Sequence, residues 1–138
     1  MRSEIENRLI AYADLPARIA NLRDQLQQAE AEAASIRAIS FDVVGKASSP
    51  DPHTIESRLA KIESLRYHLK ALELEQNVIS RNLADLSPNE RRCLEVMVIQ
   101  RRRGGLVDLM DELQYSAPQL YRIRHAALER MRRRLDGI

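Results

Sequence analysis

Residues 115–135, YSAPQLYRIRHAALERMRRRL, decide the fold of the C-terminal part of the chain. Ser116, followed three residues later by Gln119, forms the S-x-x-Q pattern of a capping box, which starts a helix. Leu120, Ile123, Ala127, Leu128 and Met131 recur at helical spacing. The stretch also holds six arginines and one histidine. The pattern predicts a helix over 116–135 with one apolar face and one basic face.

Two shorter helices are predicted upstream of this basic helix. LSPNERRCLEVMVIQ (86–100) opens with a second capping box, Ser87 to Glu90, and has Pro88 at the first helical position. A helix over 88–101 ends at RRRGG (101–105), and LVDLMDEL (106–113) supplies about two more turns.

A short helix, a turn of about three residues and a second capped helix are typical of a helix–turn–helix. The helix over 88–101 completes a three-helix domain, which we assign to residues 87–138. We expect the apolar stripe of the basic helix to pack on four upstream side chains, namely Leu94, Val98, Leu109 and Leu113.

Two long helices are predicted in residues 1–86. The first spans about 4–39, with apolar residues that step by three and four from Ile19 to Ile36, and Pro16 predicts a kink or break. SFDVVGKASSPDPHT (40–54) is predicted to be a loop, and Asp51 followed by Pro52 marks the start of a helix over about 52–86. The fold expected is therefore all-α: a long antiparallel helical hairpin (coiled coil) followed by a three-helix helix–turn–helix domain.

The composition supports helices and limits the class of protein. The chain has four Gly, one Phe and no Trp, 30% charged residues and 44% hydrophobic residues, which is too apolar for a disordered chain. The N-terminal MRSEIENRLIAY does not resemble a signal peptide, and no apolar run approaches the roughly 20 residues that span a bilayer. We expect a soluble cytoplasmic protein without a membrane partner.

No catalytic or metal-binding pattern is present in the sequence. Cys93 is the single cysteine, so a disulfide within the chain is excluded, and we expect this thiol to be buried or half-buried. The three histidines, His53, His68 and His125, are far apart and lack the spacing of zinc ligands. We expect no enzyme activity, no cofactor and no metal.

The net charge of +2 is unevenly distributed. Residues 1–86 carry a net charge of −2, residues 87–138 carry +4, and residues 116–135 alone carry +5. This asymmetry is expected when one element meets a polyanion and the rest of the chain does not. The alternative is a basic face that is only solvated.

The helix–turn–helix interpretation places the basic helix in the major groove of double-stranded DNA. Gln119 is a candidate for contacting adenine and Arg122 for contacting guanine through two hydrogen bonds. Ser116 and the free amides of the first turn are candidates for binding a phosphate. The other candidate DNA-binding residues are Tyr121, Arg124, His125, Arg101, Arg102, Arg103, Arg132 and Arg133.

The C-terminal part resembles the corresponding segment of the RinA/ArpU-like phage transcriptional regulators, which are similar to region four of bacterial sigma factors. The resemblance is carried by L-S-x-x-E-R at 86–91, L-x-Y-S at 113–116 and LYRIRHAAL at 120–128. The upstream half resembles the same proteins in its two long helices and in the loop after VVG (43–45). The resemblance implies a sigma-like DNA-binding domain that controls late phage or prophage genes.

Three functions remain open at this point. The first is a transcriptional regulator that uses the hairpin for assembly or for contact with RNA polymerase. The second is a small terminase subunit or packaging factor, since such proteins also join a helix–turn–helix to an oligomerising coiled coil. The third is a protein that uses the same fold to bind another protein. The narrow seams predict a homo-oligomer formed through the long helices, or alternatively a hairpin closed within one chain.

Overall fold

The computed structural model describes residues 2–42 and 52–137, and this part of the chain contains helices and no β-strand. The helices are α1 (Glu4–Tyr12), α2 (Leu15–Asp42), α3 (Pro52–Ala84), α4 (Pro88–Leu94), α5 (Gly105–Leu113) and α6 (Ala117–Leu135). A π-helical segment, Glu95–Gln100, continues α4 without a break. The predicted all-α fold, a long helical hairpin followed by a helix–turn–helix, is confirmed. Residues 43–51 of the predicted loop, including the proposed helix start at Asp51, lie outside the described residues.

The break predicted at Pro16 separates α1 from α2. The N–H of Asp14 donates to the carbonyl of Ala11 at 3.0 Å, which closes a turn between the two helices. Pro16 is the second residue of α2. A proline there removes an N–H that has no partner within the helix, so α2 can begin beside it.

Contacts divide the chain into two units. The hairpin unit is Ala17–Leu74, and the terminal unit combines Met1–Pro16 with Glu75–Ile138. This division differs from the predicted boundary between residues 86 and 87. The reason is that Ile5 and Leu9 of α1 and Ile79 of α3 belong to the same apolar cluster as the C-terminal helices.

In the hairpin unit, α2 and α3 are antiparallel. Ala29, Ile62 and Leu65 form its buried centre. The helices are also joined by three exposed ion pairs: Arg23–Glu73 at 2.9 Å, Arg66–Glu30 at 2.8 Å and Arg58–Glu32 at 3.2 Å. Along α2, each successive residue of these pairs contacts a residue earlier in α3. The two helices are therefore antiparallel, and the two predicted seams pair within one chain.

Both predicted capping boxes are present in the terminal unit. The hydroxyl of Ser87 accepts from the N–H of Glu90 at 3.2 Å, and the Glu90 carboxylate accepts from the N–H of Ser87 at 3.3 Å. The Ser116 hydroxyl accepts from the N–H of Gln119 at 3.4 Å, and Gln119 Oε1 accepts from the N–H of Ser116 at 2.8 Å. These side chains fix the first residues of α4 and α6.

The apolar stripe of α6 packs as predicted. Ala127, Leu128 and Met131 share a buried cluster with Leu94 and Val98. Leu120 shares a second cluster with Leu109, against which Leu113 and Ile123 pack. Burial of this stripe fixes the rotation of α6 about its axis, and therefore determines which of its residues reach solvent.

The predicted helix over 88–101 has a π-helical second half. The N–H of Arg101 donates to the carbonyl of Val96, five residues back, at 3.2 Å. Val98 lies in the cluster with Met131, whereas Val96 lies in the cluster with Leu120, and Met97 packs against both. The wide turn thus lets neighbouring residues contribute to both clusters.

Candidate nucleic-acid interface

The solvent side of α6 lies opposite its buried stripe. Residues at the helical spacing of three and four on this side are Pro118, Arg122, His125, Glu129 and Arg133. All are exposed except Glu129, which is half-buried. We call Arg122, His125 and Arg133 the basic face of α6.

Ion pairs separate the arginines of α6 into two groups. Four of the six are paired: Arg124 with Glu6, Arg130 with Glu90, Arg132 with Glu129 and Asp136, and Arg134 with Asp85. Arg122 and Arg133 have no acidic partner among the residues that the structure describes. These two guanidinium groups, both on the basic face, are therefore the ones available to an anion from outside.

Glu129 is the one acidic side chain on this side of α6, and Arg132 neutralises it. Arg132 Nη2 lies 3.1 Å from Glu129 Oε2. This hydrogen bond is the main reason why the pKa of Glu129 is lowered and the pKa of Arg132 is raised. The Glu129 carboxylate stays charged, but the positive charge of Arg132 balances it. The basic face therefore keeps its positive potential.

Arg124 occupies a different position from the one expected of a DNA-contacting residue. Its Nη2 lies 3.0 Å from Glu6 Oε2, and the two side chains are only 28% and 19% exposed. The pair joins α6 to α1 across 118 residues of sequence, so no local pattern could have indicated it. A role of Arg124 at DNA remains a prediction, and its position in this structure is that of a clamp between two helices.

Gln119 and the start of α6 are also more constrained than expected. Gln119 Oε1 accepts from both the N–H and the hydroxyl of Ser116, at 2.8 and 3.0 Å, which leaves the amide nitrogen for another group. The expected free amides of the first turn are mostly absent. Pro118 has no N–H, and the N–H groups of Gln119 and Leu120 donate to Ser116. Within the described chain, only Ala117 keeps a first-turn N–H without an acceptor.

The connection before α5 supplies further basic groups. Arg101 and Gly104 adopt left-handed conformations, with φ of 48° and 79°. Arg102 is paired with Asp108 at 2.8 Å, while Arg101 and Arg103 are exposed and have no acidic partner in residues 2–42 and 52–137. The chain therefore presents two more free guanidinium groups in this connection.

An open groove brings part of this connection beside α6. Its volume is about 380 Å³, and Arg101 and Arg102 line it together with Tyr121 and Arg124 of α6. Tyr121 is 51% exposed. The groove thus collects four of the predicted DNA-binding residues over an apolar floor of Val96, Met97 and Leu106.

The first helix of the helix–turn–helix, α5, is acidic and not basic. Asp108, Asp111 and Glu112 are exposed on it. Arg102 pairs with Asp108, and Arg92 pairs with Glu112 at 2.9 Å, a contact that raises the pKa of Arg92. The positive charge of the domain is therefore carried by α6 and by residues 101–103.

The structure offers little for other chemistry in the described residues. Cys93 is fully buried, as predicted, and burial raises the pKa of its thiol. No group of three potential metal ligands occurs in residues 2–42 and 52–137. Over the same ranges, no helix has both the length and the apolar character of a membrane span.

Comparison of the chain with protein-family models, with curated proteins and with solved structures gives no match.

Proposed function

We propose that this chain is a sequence-specific regulator of transcription that binds double-stranded DNA and controls phage or prophage genes in the bacterial cytoplasm. The observation that carries the proposal is the basic face of α6. It lies on the second helix of the helix–turn–helix and holds the two α6 arginines that have no acidic partner within residues 2–42 and 52–137. The resemblance of residues 86–131 to the RinA/ArpU-like regulators supports the same function and adds RNA polymerase as a proposed partner.

The proposed binding mode follows from where the free cations lie. Arg122 is in the second turn of α6, which is the part of a recognition helix that reaches base edges in the major groove. Its guanidinium group can donate two hydrogen bonds to guanine. Arg133, Arg101 and Arg103 would bind phosphates, which hold the protein on DNA without distinguishing sequences.

The experiment that tests this function is selection of bound sequences from a random duplex pool by the full chain. We expect an enriched motif with a preferred guanine, and loss of that preference in Arg122→Ala at a cost of about 1–3 kcal/mol for the selected site. Arg133→Ala should weaken binding to all sequences alike and reduce the log–log slope of affinity against salt by about 0.9.

Arg134→Ala is the matched control for Arg122→Ala. It removes the same charge from the same helix, but its guanidinium group is held by Asp85 at 2.8 Å. The motif should survive in this variant. No enriched motif, or an Arg122→Ala variant that weakens every sequence equally, would count against base contacts by α6. A ring of many subunits in solution would favour the packaging factor over the regulator.

A further inference from the structure

α3 carries a second seam on its solvent-exposed side. Its residues step by three and four and all are exposed: Ser57, Ala60, Ser64, Tyr67, Ala71 and Leu74. Tyr67 is 73% exposed and Leu74 is 63% exposed, although Ile62 and Leu65 of the same helix are buried against α2. We call these six residues the outer face of α3.

This spacing is that of a helix that pairs with another helix. A seam that steps by three and four is the repeat of a two-stranded coiled coil. The hairpin within the chain uses the other seam and does not account for this one. Tyr67 and Leu74, the two large side chains of this seam, are one heptad apart and both are exposed to solvent.

We infer that the outer face of α3 docks on the same face of a second copy of this chain, with the two helices antiparallel. The seam alternates between residues followed by a step of three and residues followed by a step of four. In an antiparallel coiled coil, a residue of one kind faces a residue of the other kind on the partner helix. A two-fold axis that sets Tyr67 opposite Ser64 of the second copy also sets Leu74 opposite Ser57. The same axis places Ala71 opposite Ala60. Each large side chain therefore meets a small one, which allows the helices to approach closely.

The charges beside this seam fit the same register. Glu63 and Lys70 flank Tyr67 and are exposed, and neither has an ion-pair partner in the described parts of its own chain. In the antiparallel register Glu63 faces Lys70 of the second copy, and the two-fold axis repeats this pair. In a parallel register Glu63 would instead approach His68. Charge complementarity thus favours a second copy of this chain as the partner, with its α3 antiparallel to the first.

The contact is small, so association should depend on concentration. Residues 57–74 extend over about 27 Å of helix. One helix pair of this length belongs to the small, transient class of interfaces and not to the obligate class. The inference does not depend on DNA binding, because every residue in it lies in the hairpin unit.

The test is a charge reversal followed by mixing, read by sedimentation equilibrium of the full chain at several concentrations. We expect the unmodified chain to form dimers, and both Glu63→Lys and Lys70→Glu to weaken dimerisation by about tenfold or more, since two attractive pairs become repulsive. An equimolar mixture of the two variants should form heterodimers. The double variant Glu63→Lys/Lys70→Glu should recover the homodimer.

Asp24→Lys is the matched control, because it makes the same charge change on an exposed residue of α2. It should leave dimerisation unchanged, and Tyr67→Ala should weaken it while circular dichroism confirms that the helices remain. A chain that is monomeric at every concentration overturns the inference. So does a dimer that both charge reversals leave intact, or a mixture that fails to form heterodimers.

Discussion

At the scale of single residues, the partner of each arginine determines what it can do. Six arginines of α6 look alike in the sequence, yet four are held by carboxylates on other parts of the chain or within α6 itself. Glu6, Glu90 and Asp85 are distant in sequence from the arginines they bind. The composition of α6 could therefore predict a basic helix, but it could not predict that Arg122 and Arg133 are the two without an acidic partner in the described parts of the chain.

Glu6→Gln tests the clamp between α1 and α6. The substitution keeps the shape of the side chain but removes the charge that holds Arg124 at 3.0 Å. We expect the free energy of unfolding to fall by about 1 kcal/mol, as for a partly exposed charged pair. The released Arg124 should also strengthen binding to any duplex and make the salt slope steeper by up to about 0.9.

Urea denaturation and fluorescence anisotropy with a labelled duplex would measure the two effects. Glu4→Gln is the control, since Glu4 is exposed on the same helix and has the same charge. If both variants gain the same affinity for DNA, the gain reflects net charge alone and Arg124 is not released.

At the scale of helices, capping sequences predicted where α4 and α6 begin, whereas tertiary packing determined how the helix after α4 ends. S-x-x-E and S-x-x-Q are complete within four residues, so both capping boxes were predictable and both are present. The π-helical segment and the left-handed Arg101 were not predictable. They depend on two clusters that come together only when α1, α5 and α6 are in place.

Ser116→Ala tests the start of α6 and the role of Gln119 together. Loss of the cap should lower the free energy of unfolding by about 1 kcal/mol. It also removes one of the two groups that hold Gln119 Oε1. We expect altered preference at one base pair in sequence selection, because the Gln119 carboxamide becomes freer to turn towards adenine.

Ser87→Ala provides the comparison for that experiment. It removes an equivalent cap from α4 at a similar cost in stability, but Ser87 is far from the basic face in sequence and caps a different helix. Its selected motif should match that of the unmodified chain. Identical motifs from Ser116→Ala and Ser87→Ala would mean that Gln119 has only a capping role.

At the scale of the whole molecule, the two ends of the chain fold together. The fold class and the order of the helices followed from periodicity and turn residues, which are local properties. The placement of α1 could not be predicted in this way. The spacing of Ile5 and Leu9 is compatible both with a hairpin seam and with the C-terminal core. Burial of Leu9 with Ile79 and Met131 settles which core it joins.

Leu9→Ala tests this placement. Leu9 is fully buried, so its truncation should lower the free energy of unfolding of the terminal unit by about 2–5 kcal/mol. Hydrogen exchange of the α6 amides would report the loss, because α1 and α6 contribute to one cluster. Leu22→Ala, in the hairpin unit and only half-buried, should leave exchange in α6 unchanged. Equal protection of α6 in both variants would place α1 outside that core.

The π-helical segment has a consequence for how the gene can change length. A π-helical turn contains about one residue more than an α-helical turn. One residue could therefore be deleted within residues 95–100, and the segment could close as an ordinary α-helix. The same loss early in α6 would rotate all later residues by about 100°. Arg122 would leave the solvent side, and the apolar stripe would lose its core. Loss of one residue is therefore less disruptive within residues 95–100, where the helix can close, than early in α6.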